Sequence, residues 1–254
     1  MDERLKSFKR LLDIMDELRE KCPWDKKQTM ESLRYLTLEE VYELSDAILE
    51  NNKLDIKNEL GDIMLHIVFY SKIAQEDSDF NITDVLNTIC DKLISRHPHI
   101  YGDVKVKNDN DVLENWEKLK LKEGRNSVLD GVPKSLPSMV KAVRIQEKVK
   151  GVGFDWENKN KVWEKVQEEL HELKHEIDEG NVDKIKDEFG DFIFSLINYS
   201  RFLKINPEDS LERTNKKFIK RFQKMENQIL KDGKKLINMN INEMDVYWEK
   251  VKSI

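Results

Sequence analysis

The apolar positions at the start of the chain recur at the spacing of an amphipathic helix. They lie mostly three or four residues apart, at Leu5, Phe8, Leu11, Leu12, Met15 and Leu18. This period predicts a first helix over about residues 3–20. A similar stripe occurs much later, at Met139, Val140, Val143, Ile145 and Val149. The recurrence of one pattern is the first indication that the chain contains two similar halves.

Each stripe is followed by two longer helical patterns that are separated by a short turn. The predicted pairs span residues 30–50 with 54–75, and 159–179 with 182–204. The later helix of each pair is almost continuously apolar from Ile63 to Tyr70 and from Phe192 to Tyr199. We therefore expect that helix to be buried on most sides. No segment alternates apolar and polar residues as a half-exposed strand does, so the predicted fold class is all-α, built from two tandem helical bundles.

The helix pairs share their acidic residues at a constant offset of 129 positions. Glu39, Glu40, Glu43, Glu59 and Asp62 recur as Glu168, Glu169, Glu172, Glu188 and Asp191. Over residues 39–71 and 168–200 the copies share 14 identities in 33 positions. A tandem duplication accounts for this agreement. It predicts an N-terminal domain at 1–121, a linker at 122–137 and a C-terminal domain at 138–254.

Composition narrows the class of protein further. Charged residues make up 37% of the chain and the net charge is −6, which argues against a general affinity for nucleic acid or anionic membranes. Two cysteines are too few for a disulfide framework and suit a reducing cytoplasm. No apolar run is long enough for a membrane span. We expect a cytoplasmic, helix-rich protein.

The spacing of the acidic residues predicts a metal site. Glu169 and Glu172 share one helix face, and Glu188 and Asp191 share a face of the next helix. Glu172 and Glu188 lie equally far from a turn at residues 180–181, and so do Glu169 and Asp191. Glu172 is therefore expected opposite Glu188, and Glu169 opposite Asp191. Converging carboxylates repel one another unless a cation lies among them, and an all-oxygen ligand set suits Mg²⁺ or Mn²⁺. The first copy offers a second candidate site, at Glu40, Glu43, Glu59 and Asp62.

A competing motif lies on the same helix. Residues 171–175 match the H-E-x-x-H signature of zinc hydrolases, with His171 and His175 as the metal ligands. The first copy has Tyr42 and Asp46 at these positions, so the glutamate repeats and the histidines do not. This pattern favours histidines on the helix surface, and a zinc metallohydrolase remains the alternative interpretation.

Basic and aromatic residues recur in the later helices of each half. Lys216, Lys217, Lys220 and Arg221 form a cationic stripe, and Lys92, Arg96 and His97 form its sparser counterpart. Such stripes are often simply solvated, but next to an acidic metal site they indicate phosphate binding. Trp116 and Trp248 are either core anchors or rings that stack on a nucleobase.

These features together resemble the MazG family of nucleoside triphosphate pyrophosphohydrolases, over nearly the whole chain. The similar segments are the paired E-E-x-x-E and E-x-x-D motifs, Cys22-Pro23-Trp24-Asp25, Arg96-His97-Pro98-His99, Val152-Gly153-Phe154-Asp155-Trp156, and residues 217–222. The resemblance implies two all-α, MazG-like bundles and a homodimer that assembles through them. It also implies Mg²⁺-dependent cleavage of NTPs to NMP and pyrophosphate.

The resemblance also assigns roles by position. Glu169, Glu172, Glu188 and Asp191 become the Mg²⁺ ligands, and Glu168 becomes a candidate to orient or deprotonate water. The implied substrate contacts are Glu168, Lys184, Asp187, Lys217, Lys220, Arg221 and Trp248, with Glu39, Lys92, Arg96 and Trp116 as first-copy counterparts. Because its cationic helix is denser, the second copy is expected to be the main active site.

The predicted reaction is attack of water on the α-phosphorus, with pyrophosphate leaving and little selectivity for the base. A helical scaffold that binds nucleotides without hydrolysing them is the non-enzymatic alternative. The repeated acidic residues argue against this alternative, because a binding surface has no need of such mutual repulsion.

Overall fold

The computed structural model describes residues 2–106 and 127–252, together with the single positions 112 and 115. The chain divides into two compact units, Met1–Lys107 and Asn108–Ile254. Within the described ranges every regular element is a helix, which confirms the all-α prediction. Trp116 and the predicted domain boundary at residues 121–122 lie outside the described residues.

The first unit contains five α-helices in its described part. They are α1 (Glu3–Lys21), α2 (Met30–Leu49), α3 (Lys53–Glu76), α4 (Ile82–Arg96) and α5 (Pro98–Tyr101), with a short 3₁₀ turn at Asp25–Lys27. Thr29 begins α2 through a capping box with Ser32, and Asn52 caps α3. Helix α1 packs on α3, and the core that these two helices share with α2 comprises Met15, Leu33, Val68, Phe69 and Ile73.

The second unit repeats this arrangement. From residue 127 onward its helices are α6 (Ser138–Lys150), α7 (Lys159–Glu179), α8 (Val182–Phe202), α9 (Pro207–Lys231) and α10 (Ile241–Lys252), with a 3₁₀ turn at Leu236–Asn238. Gly180 ends α7 in the left-handed conformation (φ 73°), and the Asn181 side chain caps α8. The predicted turn at residues 180–181 is therefore confirmed. Asn206 caps helix α9 and Pro207 occupies its first helical position, where the missing N–H of proline costs nothing.

The two helix hairpins, α2–α3 and α7–α8, contain the acidic motifs. The helices of each hairpin pack closely along their length, as the turns of three residues (50–52) and two residues (180–181) require. The prediction that α3 and α8 are buried on most sides is confirmed only in part within each unit. Met64 and Ile67 on α3, and Ile193 and Leu196 on α8, remain exposed. Each hairpin thus buries one apolar face and presents another to its surroundings.

Among the described residues, no helix is both long and apolar enough to cross a membrane.

Candidate active site

The acidic residues converge in both hairpins. In the second unit, one carboxylate oxygen from each of Glu169, Glu172 and Glu188 lies within 4.8 Å of the other two. Glu40, Glu43 and Glu59 form the same arrangement in the first unit. Two of the three oxygens come from one helix and the third comes from its partner, so the hairpin turn sets the geometry. The three atoms are close enough to coordinate one cation together.

The fourth predicted ligand of each set lies at the edge of its cluster. Asp62 and Asp191 are exposed and do not belong to the groups whose oxygens are mutually within 4.8 Å. Both nevertheless act on the clusters electrostatically, as the pKa values of their neighbours show. Asp191 also lines a cavity that Glu169 lines from the other helix. Three of the four predicted ligands therefore meet in each unit, and in the second unit the fourth lines the adjoining cavity.

The carboxylates of each cluster raise one another's affinity for protons. Partial loss of hydration raises the pKa of Glu188, and the negative charges of Glu172 and Asp191 raise it further. Loss of hydration likewise raises the pKa of Glu40, with added repulsion from Asp62. A divalent cation among these oxygens removes the repulsion that holds the pKa values up, so the donor set and its charge fit Mg²⁺ or Mn²⁺.

A lysine that the sequence reasoning missed contacts the second cluster. Lys165 lies one turn before Glu169, and its Nζ is 2.8 Å from a Glu169 oxygen and 2.6 Å from a Glu168 oxygen. The hydrogen bonds that the Lys165 ammonium donates, first to Glu168 and then to Glu169, raise the pKa of Lys165. The first copy has Leu36 at this position, at the same offset of 129. The only signal available in the sequence was i,i+3 and i,i+4 spacing, which also describes many surface pairs.

A cavity of about 310 Å³ opens beside the second cluster. Its lining includes Glu169 and Asp191 at one side, Gln146 and Ser195 within, and Phe154 and Trp156 from the loop after α6. Asp155 in this loop forms a two-pronged ion pair with Arg201 of α8, with one N–O distance of 2.8 Å. The hydrogen bond from Arg201 lowers the pKa of Asp155. The ion pair holds the aromatic loop against the hairpin.

A second, more open cleft of about 450 Å³ lies on the other side of the cluster. His171, Glu172, His175, Glu176 and Glu188 line it. Both histidines are exposed, and neither belongs to a group of converging metal ligands among the described residues. The zinc interpretation therefore gains no support from the geometry, since the converging donors are all carboxylates. Glu176 is instead paired with Lys184, another predicted substrate contact, at 3.2 Å.

The remaining predicted substrate residues of the second copy lie on the surfaces of α8, α9 and α10. Asp187, Lys217 and Lys220 are exposed and Arg221 is half-buried. Trp248 packs against the α9–α10 core, and its ring lies 5.2 Å from that of Phe218. None of these residues lines either of the two cavities beside the acidic cluster. Of the two roles considered for Trp248, the packing supports the core anchor.

The first-copy counterparts are distributed in a similar way. Glu39 and Lys92 are exposed, and Arg96 is half-buried at the end of α4. His66, one turn after Asp62, is 7% exposed, and no hydrogen-bond partner of its Nδ1 is described. Burial lowers the pKa of His66, and the charge of Asp62 partly opposes this shift.

Comparison with known proteins identifies the repeated segments. The model of the MazG nucleotide pyrophosphohydrolase domain matches twice, at residues 28–101 and 158–225. These two matches contain both acidic hairpins, and together they cover more than half of the chain.

Whole-length relatives are also similar. A Thermotoga maritima protein named nucleoside triphosphate pyrophosphohydrolase/pyrophosphatase MazG is 44% identical, over 96% of this chain and 95% of that protein. A nucleoside triphosphate pyrophosphohydrolase of Escherichia coli is 38% identical, over 96% of both chains. The Bacillus subtilis protein YabN is 43% identical over 96% of this chain, which corresponds to 51% of its own length.

Proposed function

The chain belongs to the MazG nucleotide pyrophosphohydrolase family, and we propose that it cleaves nucleoside triphosphates between the α- and β-phosphates with Mg²⁺ as cofactor. The similar proteins of T. maritima and E. coli are named for hydrolysis of nucleoside triphosphates, which makes this chain a hydrolase of acid anhydrides. The α–β position of cleavage, the metal and a loose choice of base are our proposals.

One observation supports the metal-dependent reaction most directly. In each unit three glutamate oxygens meet within 4.8 Å on facing helices, although their charges repel one another. Such a cluster opposes the stability of the fold unless a cation binds there. The donors are all oxygens, which favours Mg²⁺ or Mn²⁺ over zinc.

We assign the chemistry to the second unit as follows. Glu169, Glu172 and Glu188 would hold Mg²⁺, with Asp191 completing the set from the cavity side. The bound ion would supply Lewis-acid neutralisation of the triphosphate. Lys165 forms ion pairs with both Glu168 and Glu169, and Glu168 therefore lies next to the cluster. In this scheme Glu168 accepts a proton from the attacking water. The water oxygen forms a bond to the α-phosphorus, the bond from that phosphorus to the bridging oxygen breaks, and pyrophosphate leaves.

Cationic side chains neutralise the departing phosphates in this scheme. Lys165 lines the cavity beside Glu169, where it is close enough to act on a bound triphosphate. Lys217, Lys220 and Arg221 provide a further cationic surface on α9. These three residues line neither cavity, so they can contact phosphate only if the substrate extends beyond both cavities.

Product analysis tests the reaction class. The purified chain is incubated with a panel of NTPs and dNTPs and Mg²⁺, and the products are separated by ion-exchange chromatography. We expect NMP and pyrophosphate in equal amounts, loss of activity in EDTA and recovery on addition of Mg²⁺. Release of NDP and orthophosphate would overturn α–β cleavage, and rescue by Zn²⁺ alone would favour the zinc alternative.

We also propose a homodimer that forms through the exposed apolar sides of the hairpins. On α7 and α8, Ile177, Val182 and Phe189 are each more than half exposed. Apolar residues concentrated on one hairpin are typical of a surface that another subunit covers. Sedimentation equilibrium should show a dimer for the wild type and monomers for Phe189→Glu; an unchanged dimer would place the interface elsewhere.

A further inference from the structure

Two histidines line the open cleft beside the second acidic cluster, and the proposed reaction uses neither of them. The five described side chains that line this cleft of about 450 Å³ all end in nitrogen or oxygen atoms that bind metal ions: His171, Glu172, His175, Glu176 and Glu188. The lining therefore gives an apolar ligand little to pack against, whereas it gives a cation several donors.

The spacing of the two histidines is that of a chelating pair. His171 and His175 lie four residues apart on α7, so they are neighbours on one face of the helix, with Cβ atoms about 5–6 Å apart. Two imidazoles at this spacing bind one Zn²⁺ ion in the H-E-x-x-H helices of zinc enzymes. Among the described residues, their rings are not part of a group of converging donors. Both side chains are exposed, however, and exposed side chains change rotamer freely, so the rings can reach a common ion without disturbing the core.

The converging carboxylates are divided between the two openings beside the cluster. Glu169 lines the 310 Å³ cavity, whereas Glu172 and Glu188 line the cleft together with the histidines. Oxygens of Glu172 and Glu188 lie within 4.8 Å of each other. The remaining carboxylate of the cleft, Glu176, is 9% exposed and forms an ion pair with Lys184 at 3.2 Å. Glu172 and Glu188 are therefore the oxygen donors that are best placed to join the imidazoles.

This donor set selects a different cation from the one that suits the acidic cluster. Mg²⁺ takes oxygen ligands in an octahedral arrangement and keeps several waters. Imidazole nitrogens suit Zn²⁺, Cu²⁺ and Ni²⁺, and two histidines with one carboxylate are an established set of protein ligands for Zn²⁺. An ion of this class therefore prefers the cleft, whereas Mg²⁺ prefers the all-oxygen cluster.

The first unit lacks this combination of donors. At the offset of 129, Tyr42 and Asp46 replace the two histidines, although the converging glutamates are retained. The α2–α3 hairpin therefore provides an acidic cluster without imidazoles, with which the second site can be compared.

We propose that the cleft binds a cation of the Zn²⁺ class through His171 and His175, with a carboxylate oxygen of Glu172 or Glu188 as the third ligand, and that this ion inhibits the reaction. Its binding withdraws a carboxylate that the Mg²⁺ site requires, so the two cations oppose each other. The inhibition rests on the proposed function, because it assumes that Glu172 and Glu188 hold Mg²⁺, whereas the binding of zinc does not. Zinc is an inhibitor here, in contrast to the zinc metallohydrolase alternative, in which it is the cofactor.

Calorimetry tests the site by measuring Zn²⁺ binding to the full chain in excess Mg²⁺, which occupies the all-oxygen clusters. The double variant His171→Asn/His175→Asn should bind Zn²⁺ at least about tenfold more weakly, because even residues that only orient metal ligands contribute that much to affinity. His99→Asn is the matched control. It removes one ring of the pair formed by His97 and His99, whose centroids lie 5.5 Å apart, and should leave the affinity of the cleft unchanged. Equal affinity of the wild type and the double variant, or loss of the tightest binding in His99→Asn, would overturn the site.

Pyrophosphate release at a fixed Mg²⁺ concentration tests the inhibition. Added Zn²⁺ should inhibit the wild type, and the double variant should need at least about ten times more Zn²⁺ for the same inhibition, in proportion to its lost affinity. Without Zn²⁺ the double variant should retain wild-type turnover, which also shows that it folds. Zn²⁺ that binds through the histidines and leaves turnover unchanged or raises it would overturn the inhibitory role. A wild type that releases no pyrophosphate with Mg²⁺ alone would overturn the proposed reaction, whereas the calorimetry would still decide whether the zinc site exists.

Discussion

Replacing Glu172 by glutamine should abolish the reaction and at the same time stabilise the metal-free protein. Glu172 contributes one of the three oxygens that converge in the second unit, and its side chain is exposed. The amide keeps the size of the side chain and removes its charge. If the cluster exists to bind a cation, the loss of one ligand should weaken Mg²⁺ binding, while the loss of one charge relieves repulsion among the remaining carboxylates.

The size of the relief follows from the separation of the charges. Two carboxylates at the 4.8 Å limit of the cluster repel by about 0.9 kcal/mol in a water-like dielectric. The Glu169–Glu172 pair therefore corresponds to a rise in melting temperature of about 3 °C for a unit of this size. Saturating Mg²⁺ reverses the order, because a ligand at 100 times its Kd stabilises the wild type by about 2.7 kcal/mol.

Differential scanning calorimetry in EDTA and in Mg²⁺ measures both effects, and pyrophosphate release measures activity. Glu43→Gln makes the matched change in the first unit, and Glu164→Gln is a surface control that removes only an ion pair with Lys161. We expect Glu172→Gln to melt higher than the wild type in EDTA and lower in Mg²⁺, with activity lost. A variant that retains both turnover and stabilisation by Mg²⁺ would refute the assignment of Glu172 to the metal site.

Two further predictions concern the residues around the cluster. Arg201 lowers the pKa of Asp155 in the folded protein. The ion pair therefore contributes its full stabilisation at pH values above the ordinary pKa of 3.8, and this stabilisation is lost as the pH falls through the lower pKa of the folded state. The melting-temperature difference between the wild type and Asp155→Asn should be constant from pH 5 to 7 and shrink progressively as the pH falls below 3.8; a difference that does not shrink would exclude the ion pair as its cause. Lys165→Leu removes a cation that competes with the metal for Glu169, so calorimetry should show Mg²⁺ binding about two to five times tighter in the absence of nucleotide, as expected for a partly exposed pair. Weaker Mg²⁺ binding would indicate that Lys165 instead orients the ligand.

The sequence predicted the hairpins well because their determinants are local. The turn residues at 180–181 and the caps at Asn52 and Asn206 fix where each helix begins or ends. Once both helix boundaries are set, the meeting of Glu172 with Glu188 follows from their equal distance to the turn. Duplication supplied an independent check, since an accidental acidic face has no reason to recur at one offset.

The rest of the site depends on contacts that local patterns do not determine. Lys165 is spaced like an ordinary surface partner, and only the coordinates show that its ammonium lies against Glu169. Gln146 left a faint signal, a polar residue among the apolar positions of α6, but its unused oxygen becomes apparent only when Phe194 is seen to occupy its nitrogen. Asp191 was expected opposite Glu169 and does line the same cavity, yet its oxygens are not among those that converge in the cluster.

The two repeats have kept the same charges and changed what surrounds them. Both repeats retain the three converging glutamates. Selection for a property that both acidic hairpins share, such as cation binding, explains why these glutamates did not diverge. The residues next to the glutamates differ between the repeats. Gln146 and Ser195 of the second unit correspond to Met15 and His66 of the first. Since the same three oxygens converge in both units, it follows that the first unit should bind Mg²⁺ as the second does.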